Sequence, residues 1–180
     1  ILYSWPSSDN AAAYISDVTT IDWATLHLKQ FIDQLTEQND LDTIHVVAHS
    51  LGNRAFLNAF TNIIKNRTPE DTWKFGEIVL VAPDVDRPIF ERDIIPVINS
   101  IPSRVTLYIS SLDIPLIASQ SFNLYPRVGD GRHPPIITKG IETIDATPAA
   151  NMFIGHSYYR NSPEVLTDLS FLINSRAGAD

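Results

Sequence analysis

Apolar positions along this chain follow two periods, and the two alternate. Ile21, Ala24, Leu28, Phe31, Ile32 and Leu35 recur three or four residues apart. That spacing lines one face of a helix, so residues 16–38 are expected to form an amphipathic helix. Residues 43–48 are a short apolar run and read as a strand. Ala55, Ala59, Phe60 and Ile63 return to helical spacing. Residues 77–82 form a continuous apolar strand ended by Pro83, and a short helix is expected over 88–99. Residues 104–110, rich in β-branched and aromatic side chains, are another strand. Residues 112–121 hold one helical turn or two, the Pro/Gly-rich stretch 125–135 is a long loop, and 141–146 is a last short strand. Ser162-Pro163-Glu164 starts a final helix, with a capping serine and then proline in the first turn. Val165, Leu166, Leu169, Leu172 and Ile173 form its buried stripe. At the other end, residues 1–5 read as a short buried strand stopped by Pro6.

Strands that are unbroken apolar runs and are separated by helices indicate a parallel sheet covered on both faces. The expected fold is therefore α/β, a three-layer α/β/α sandwich with a mostly parallel sheet. The 180 residues suit one domain, 1–180. Apolar residues make up 44% and charged residues 19%, the balance of a chain that buries a core rather than staying unfolded. The net charge of −8 comes without any cluster of Lys and Arg, which argues against nucleic acid as a partner. No apolar run approaches the roughly 18 residues of a membrane span. Cysteine is absent, which excludes disulfides, thiolate metal sites and a cysteine nucleophile. Asn66-Arg67-Thr68 matches a glycosylation sequon but falls at a helix end, where it reads as chance. The chain opens on Ile1, with a strand-like run and no initiator Met, and so reads as a fragment or processed form.

The chemistry begins at Ala48-His49-Ser50-Leu51-Gly52, between the strand at 43–48 and the helix after it. A serine between a buried strand and a helix, flanked two residues away on each side by small residues, is the layout of a nucleophile elbow. Here the usual G-x-S-x-G has become A-x-S-x-G, which keeps the steric logic. In open parallel sheets, catalytic groups gather at the carboxyl ends of the strands. Asp84 and Asp86 follow the strand at 77–82, Ser111 and Asp113 follow the strand at 104–110, and Gly155-His156-Ser157-Tyr158 precedes the final helix. The order Ser50, then an Asp, then His156 is the Ser…Asp/Glu…His order of α/β-hydrolases.

Serine needs a base to become a nucleophile, and imidazole titrates near neutral pH. His156 is the expected base. His27 lies on the first helix, His45 lies within a strand, and His49 belongs to the elbow, whose backbone direction should turn its ring away from Ser50. His133, in the Pro-rich loop, is the rival. Either Asp113 or Asp84 fits the acid. Asp113 is favoured, because Pro83-Asp84-Val85-Asp86 before a helix also reads as turn and cap chemistry. His45 and His49 stand i, i+4, a metal-pair spacing only on a helix, so no metal site is expected. No cofactor is called for.

With these residues assembled, the chain resembles a family of uncharacterised α/β-hydrolases found mainly in bacteria. The similar segments are Tyr3-Ser4-Trp5-Pro6-Ser7, Ala48-His49-Ser50-Leu51-Gly52-Asn53, Ala82-Pro83-Asp84-Val85-Asp86, Ser110-Ser111-Leu112-Asp113, Pro126-Arg127-Val128-Gly129 and Gly155-His156-Ser157-Tyr158. They span nearly the whole chain. The resemblance implies Ser50 as nucleophile and His156 as base, and it favours Asp113 over Asp84 as acid. It also implies that residues 1–5 correspond to the fourth strand of an N-terminally incomplete α/β-hydrolase fold. The third strand and the His-Gly loop that supplies one oxyanion donor would then lie upstream of Ile1.

The function expected is that of a serine hydrolase cleaving a small-molecule or lipid ester through an acyl-enzyme, with the Leu51 N–H supporting the oxyanion. The other readings are a non-catalytic hydrolase-like scaffold or binding module, and an acyltransferase, thioesterase or peptidase using the same three residues.

Overall fold

The structure, a computed structural model, describes residues 1–7, 14–149, 156 and 161–174. Helix α1 (Tyr14–Glu37) comes first. Strand β1 (Ile44–His49) and helix α2 (Leu51–Asn66) then flank the elbow. Strand β2 (Phe75–Val81) leads into a helical segment built in three pieces. These are the short helix α3 (Arg87–Ile89), a wide π turn (Phe90–Ile94) and helix α4 (Ile95–Ile98). Strand β3 (Val105–Ile109), helix α5 (Ile114–Asn123), strand β4 (Ile141–Asp145), a 3-10 turn (Thr147–Ala149) and helix α6 (Pro163–Asn174) follow.

The four strands form one parallel sheet in the order β1-β2-β3-β4. Its register aligns His49 with Val81, Val81 with Tyr108, and Ile109 with Asp145, so the carboxyl ends reach one edge together. The central strands β2 and β3 are buried on both faces, as their apolar runs require, whereas β1 exposes His45 and Val47 and β4 is fully buried only at Ile141. Ile78, Leu80, Val105 and Leu107 pack on one face against Ile21, Leu28 and Ile32 of α1 and Phe56 and Phe60 of α2. Val79, Val81 and Tyr108 point to the other face, where Val165, Leu169 and Leu172 of α6 cover them. Helices thus lie on both sides of a parallel sheet, the α/β/α sandwich expected from the alternating periods. Each fully buried Leu or Ile in these layers contributes about 1.5–3 kcal/mol relative to exposure.

The strand expected over residues 1–5 is not formed. Ile1 and Leu2 are 96% and 93% exposed, and this segment pairs with no strand. Tyr3 and Trp5 instead pack on the helical layer. The Tyr3 hydroxyl donates to Ala24 O, its ring lies 5.5 Å from that of Phe31, and Trp5 covers Gly52. An apolar run becomes a strand only when a neighbour takes its backbone groups, and here the aromatic side chains find helices instead.

The segment after α5 also departs from an ordinary exposed loop. Arg127, Val128 and Asp130 are buried. Val128 N–H donates to Val85 O, Gly129 N–H to Pro83 O and Ser110 N–H to Gly129 O, so the segment laces together the ends of β2 and β3.

Candidate active site

Ser50 sits between β1 and α2 with φ 53° and ψ −129°, a conformation that non-glycine residues rarely adopt. Several donors hold it there. Its carbonyl accepts from the N–H groups of Asn53 and Asp84 and from the side-chain amide of Asn53, while its own N–H donates to Val81 O. The Asn53 amide also donates to Val81 O. Asn53 is fully buried and ties the start of α2 to the end of β2. Ala48 is buried and does not share the positive φ of Ser50, so alanine meets the need for a small residue there without backbone strain. At Gly52 a Cβ would stand 3.3 Å from the Trp5 ring, closer than ordinary contact.

Ser50 occupies the N-cap of α2 but its side chain caps nothing. Its Oγ lies 2.8 Å from His156 Nε2. His156 Nδ1 lies 2.8 and 2.9 Å from the two carboxylate oxygens of Asp113. An ionised carboxylate only accepts hydrogen bonds, so Nδ1 carries the hydrogen and Nε2 turns its lone pair to the Ser50 hydroxyl. The Asp113 side chain is wholly buried, and that of His156 is 18% exposed. Burial pushes the Asp113 carboxyl above the usual range, although the bond to His156 and the N–H of Leu116 pull it back down. Asp113 is also the N-cap of α5, its Oδ1 accepting from Leu116 N–H, so the helix fixes the carboxylate it begins with.

Asp84 lies next to this group but is turned elsewhere. Its carboxylate accepts from Arg127 Nε at 2.6 Å, from Ser119 Oγ at 2.6 Å and from the Tyr14 hydroxyl at 2.9 Å. Arg127, itself 1% exposed, also bonds Asp86. His133 stands by Gln120 and Asp130, within 3.3 and 3.7 Å, and His27 is exposed on α1. His45 Nδ1 accepts from Glu77 N–H. His49, its ring expected to turn away from Ser50, meets His156. Its ring centroid lies 4.6 Å from that of His156, and its Nε2 lies 2.9 Å from the His156 carbonyl oxygen. Leu51 is the first residue of α2, so its N–H has no acceptor within the helix and lies at the positive end of the dipole.

Three residues chosen from the sequence, Ser50, Asp113 and His156, thus meet within hydrogen-bond distance. His49, Asn53 and Arg127 also bond residues of this group or its neighbours, and no local sequence pattern marks those contacts, although Asn53 and Arg127 stand inside the segments Ala48–Asn53 and Pro126–Gly129. A serine hydroxyl facing an imidazole that is oriented by a buried carboxylate is equipped for nucleophilic attack with proton transfer. Among the described residues, no helix is long and apolar enough to cross a membrane.

The family model described as "Alpha/beta hydrolase of unknown function" (DUF900) matches residues 1–176. No curated protein and no solved structure matches the chain.

Proposed function

This chain belongs to a family of alpha/beta hydrolases of unknown function, and from that premise we propose that it is a serine hydrolase cleaving a carboxylic ester through an acyl-enzyme. The observation that carries the reading is His156, placed 2.8 Å from Ser50 Oγ on one side and 2.8 Å from Asp113 on the other. Ser50 Oγ attacks the ester carbonyl as His156 Nε2 takes its proton. Asp113 holds the imidazole in the tautomer that can accept and stabilises the imidazolium that forms. The N–H of Leu51, at the start of α2, donates to the oxyanion. His156 then gives its proton to the leaving alcohol, and a water deprotonated by the same imidazole releases the acid. The substrate is a small-molecule or lipid ester.

The test is labelling of the full-length protein with a fluorophosphonate probe, which reacts at an activated serine. Labelling that disappears in Ser50→Ala is expected. Equal labelling of the two, or none of the wild type, would remove the assignment.

A further inference from the structure

Strand β1 delivers two residues in succession to the sheet edge, Ser50 and, just before it, His49. The mechanism proposed above uses only the first. The second touches His156 in two ways. The His49 ring lies against the His156 ring, centroids 4.6 Å apart and planes inclined by 50°. Its Nε2 is 2.9 Å from the His156 backbone oxygen. A carbonyl oxygen can only accept, so Nε2 carries a hydrogen, and uncharged His49 is the Nε2–H tautomer.

The two contacts act on different parts of His156. Ser50 and Asp113 hold the two nitrogens of its ring, whereas His49 meets its backbone carbonyl and the ring itself. His156 stands 107 positions from His49 in the chain, between β4 and α6, so nothing local to β1 fixes its Cα. A base displaced by about 1 Å loses much of its rate advantage. The His49 ring N–H pins the His156 backbone to the same rigid strand that carries the nucleophile, and the His49 ring lies against the imidazole.

We propose that His49 is a positioning residue for His156, holding the imidazole over Ser50 Oγ through its Nε2–H bond to the His156 carbonyl and its ring contact. The inference rests on the proposed hydrolase mechanism for its catalytic consequence, while the positioning contact stands by itself. His49 exchanges no proton in the reaction. The Oγ–H bond of Ser50 breaks, the proton passes to His156 Nε2 and then to the leaving alcohol, and the His49 hydrogen remains on His49.

Two variants of the full-length protein separate the hydrogen bond from the packing. His49→Phe keeps a ring and loses the donor; His49→Gln loses the ring and keeps a side-chain N–H. The readouts are the fluorophosphonate labelling rate, the downfield proton resonance of His156 Nδ1–H bonded to Asp113 (identified by its loss in Asp113→Asn), and the melting temperature. In His49→Phe, labelling is expected to slow about 10- to 100-fold, the order that misplacement of a catalytic group costs, and the Nδ1–H resonance to broaden or vanish. His49→Gln should recover most of both, with both variants melting near the wild type. Wild-type labelling and an unchanged resonance in His49→Phe would overturn the proposal, as would a His49→Gln variant no better than His49→Phe. Should His49→Phe fail to fold, His49→Ala compared with His49→Gln decides by the same readouts. Absence of Ser50-dependent labelling in the wild type would defeat the hydrolase reading alone, because the resonance still reports whether His49 positions His156. Absence of the resonance in the wild type would defeat the positioning itself.

Discussion

Two aspartates lie beside Ser50 and His156, and their partners separate them more sharply than their positions do. Asp113 gives both oxygens to His156, while Asp84 gives both to Arg127, Ser119 and Tyr14. Under the proposed mechanism, Asp113→Asn removes the charge that sets the imidazole tautomer, and turnover is expected to fall by about 10⁴-fold with the fold intact. Asp84→Asn should instead lower the melting temperature while leaving a much larger share of turnover. Comparing ester hydrolysis and thermal melting of the two variants checks both halves; the reverse pattern would transfer the acid's role to Asp84. Ser50 and His156 were legible in the sequence because each carries a local mark, the pentapeptide at one and the loop before the last helix at the other. The two aspartates are harder to tell apart in the sequence, since both follow strands and the partners of Asp84 lie far along the chain, Arg127 standing 43 positions beyond it. The contact of the His49 ring with His156 is not legible in the sequence, because the direction of the elbow's backbone does not say which loop comes to meet the ring. Asn53 belongs to the same class of hidden contact: Asn53→Ala removes the side-chain donor to the carbonyls of Ser50 and Val81, which keep their backbone donors, and a stability loss of about 0.5–1.5 kcal/mol per bond is expected in denaturant unfolding, with slower labelling of Ser50.

At the scale of elements, period was a dependable guide and proline was not. The strands and helices read from apolar spacing formed within one to three residues of their expected bounds. Helix α5 is longer than the one or two turns expected, because Pro115 lies in its first turn, where a missing N–H costs nothing and the fixed φ favours the helix. In the segment running from α3 to α4, the wide π turn immediately precedes Ile95-Pro96, as expected where proline cannot donate and crowds the carbonyl four residues back. Residues 1–5 failed as a strand because pairing is a property of two segments, and one run of apolar residues carries no record of its partner. Strand β2 supplies a pH test. Glu77 is buried in it, one oxygen 3.6 Å from Arg104 and the other without a partner. Burial pushes its carboxyl above the usual range, against the pull of Arg104. A carboxyl raised in the folded state favours folding while protonated and loses that contribution as pH climbs through its folded pKa. Glu77→Gln stays neutral throughout, so its melting temperature relative to wild type should rise between about pH 4 and pH 7. A difference that is flat or falls across that range would contradict the assigned direction.

Across the whole molecule, the sheet edge bearing Ser50 is held by groups drawn from distant parts of the chain. Arg127 bonds Asp84 and Asp86 beyond β2, and Asp84 also takes hydrogen bonds from Tyr14 of α1 and Ser119 of α5. The backbone around Arg127 adds the bonds of Val128 to Val85 and Gly129 to Pro83, and a Cβ at Gly129 would lie 2.6 Å from the backbone at Ala82 and Pro83. One buried guanidinium therefore joins the first helix, the second strand's end and the segment before β4. A buried ion pair of this kind carries a large desolvation penalty, so its net contribution is modest while its rupture is severe. Arg127→Met leaves the Asp84 charge buried with only two hydroxyl donors, and a loss of about 3–5 kcal/mol is expected. Removing the acid as well, in Asp84→Leu/Arg127→Met, takes away the stranded charge and should cost less than the sum of the two single variants. Denaturant unfolding of the four proteins completes the cycle. Additive losses would mean that Arg127 and Asp84 act independently, and that the site edge is held by the backbone lacing alone. A double variant more stable than Arg127→Met is the outcome that the shared burial of the pair requires.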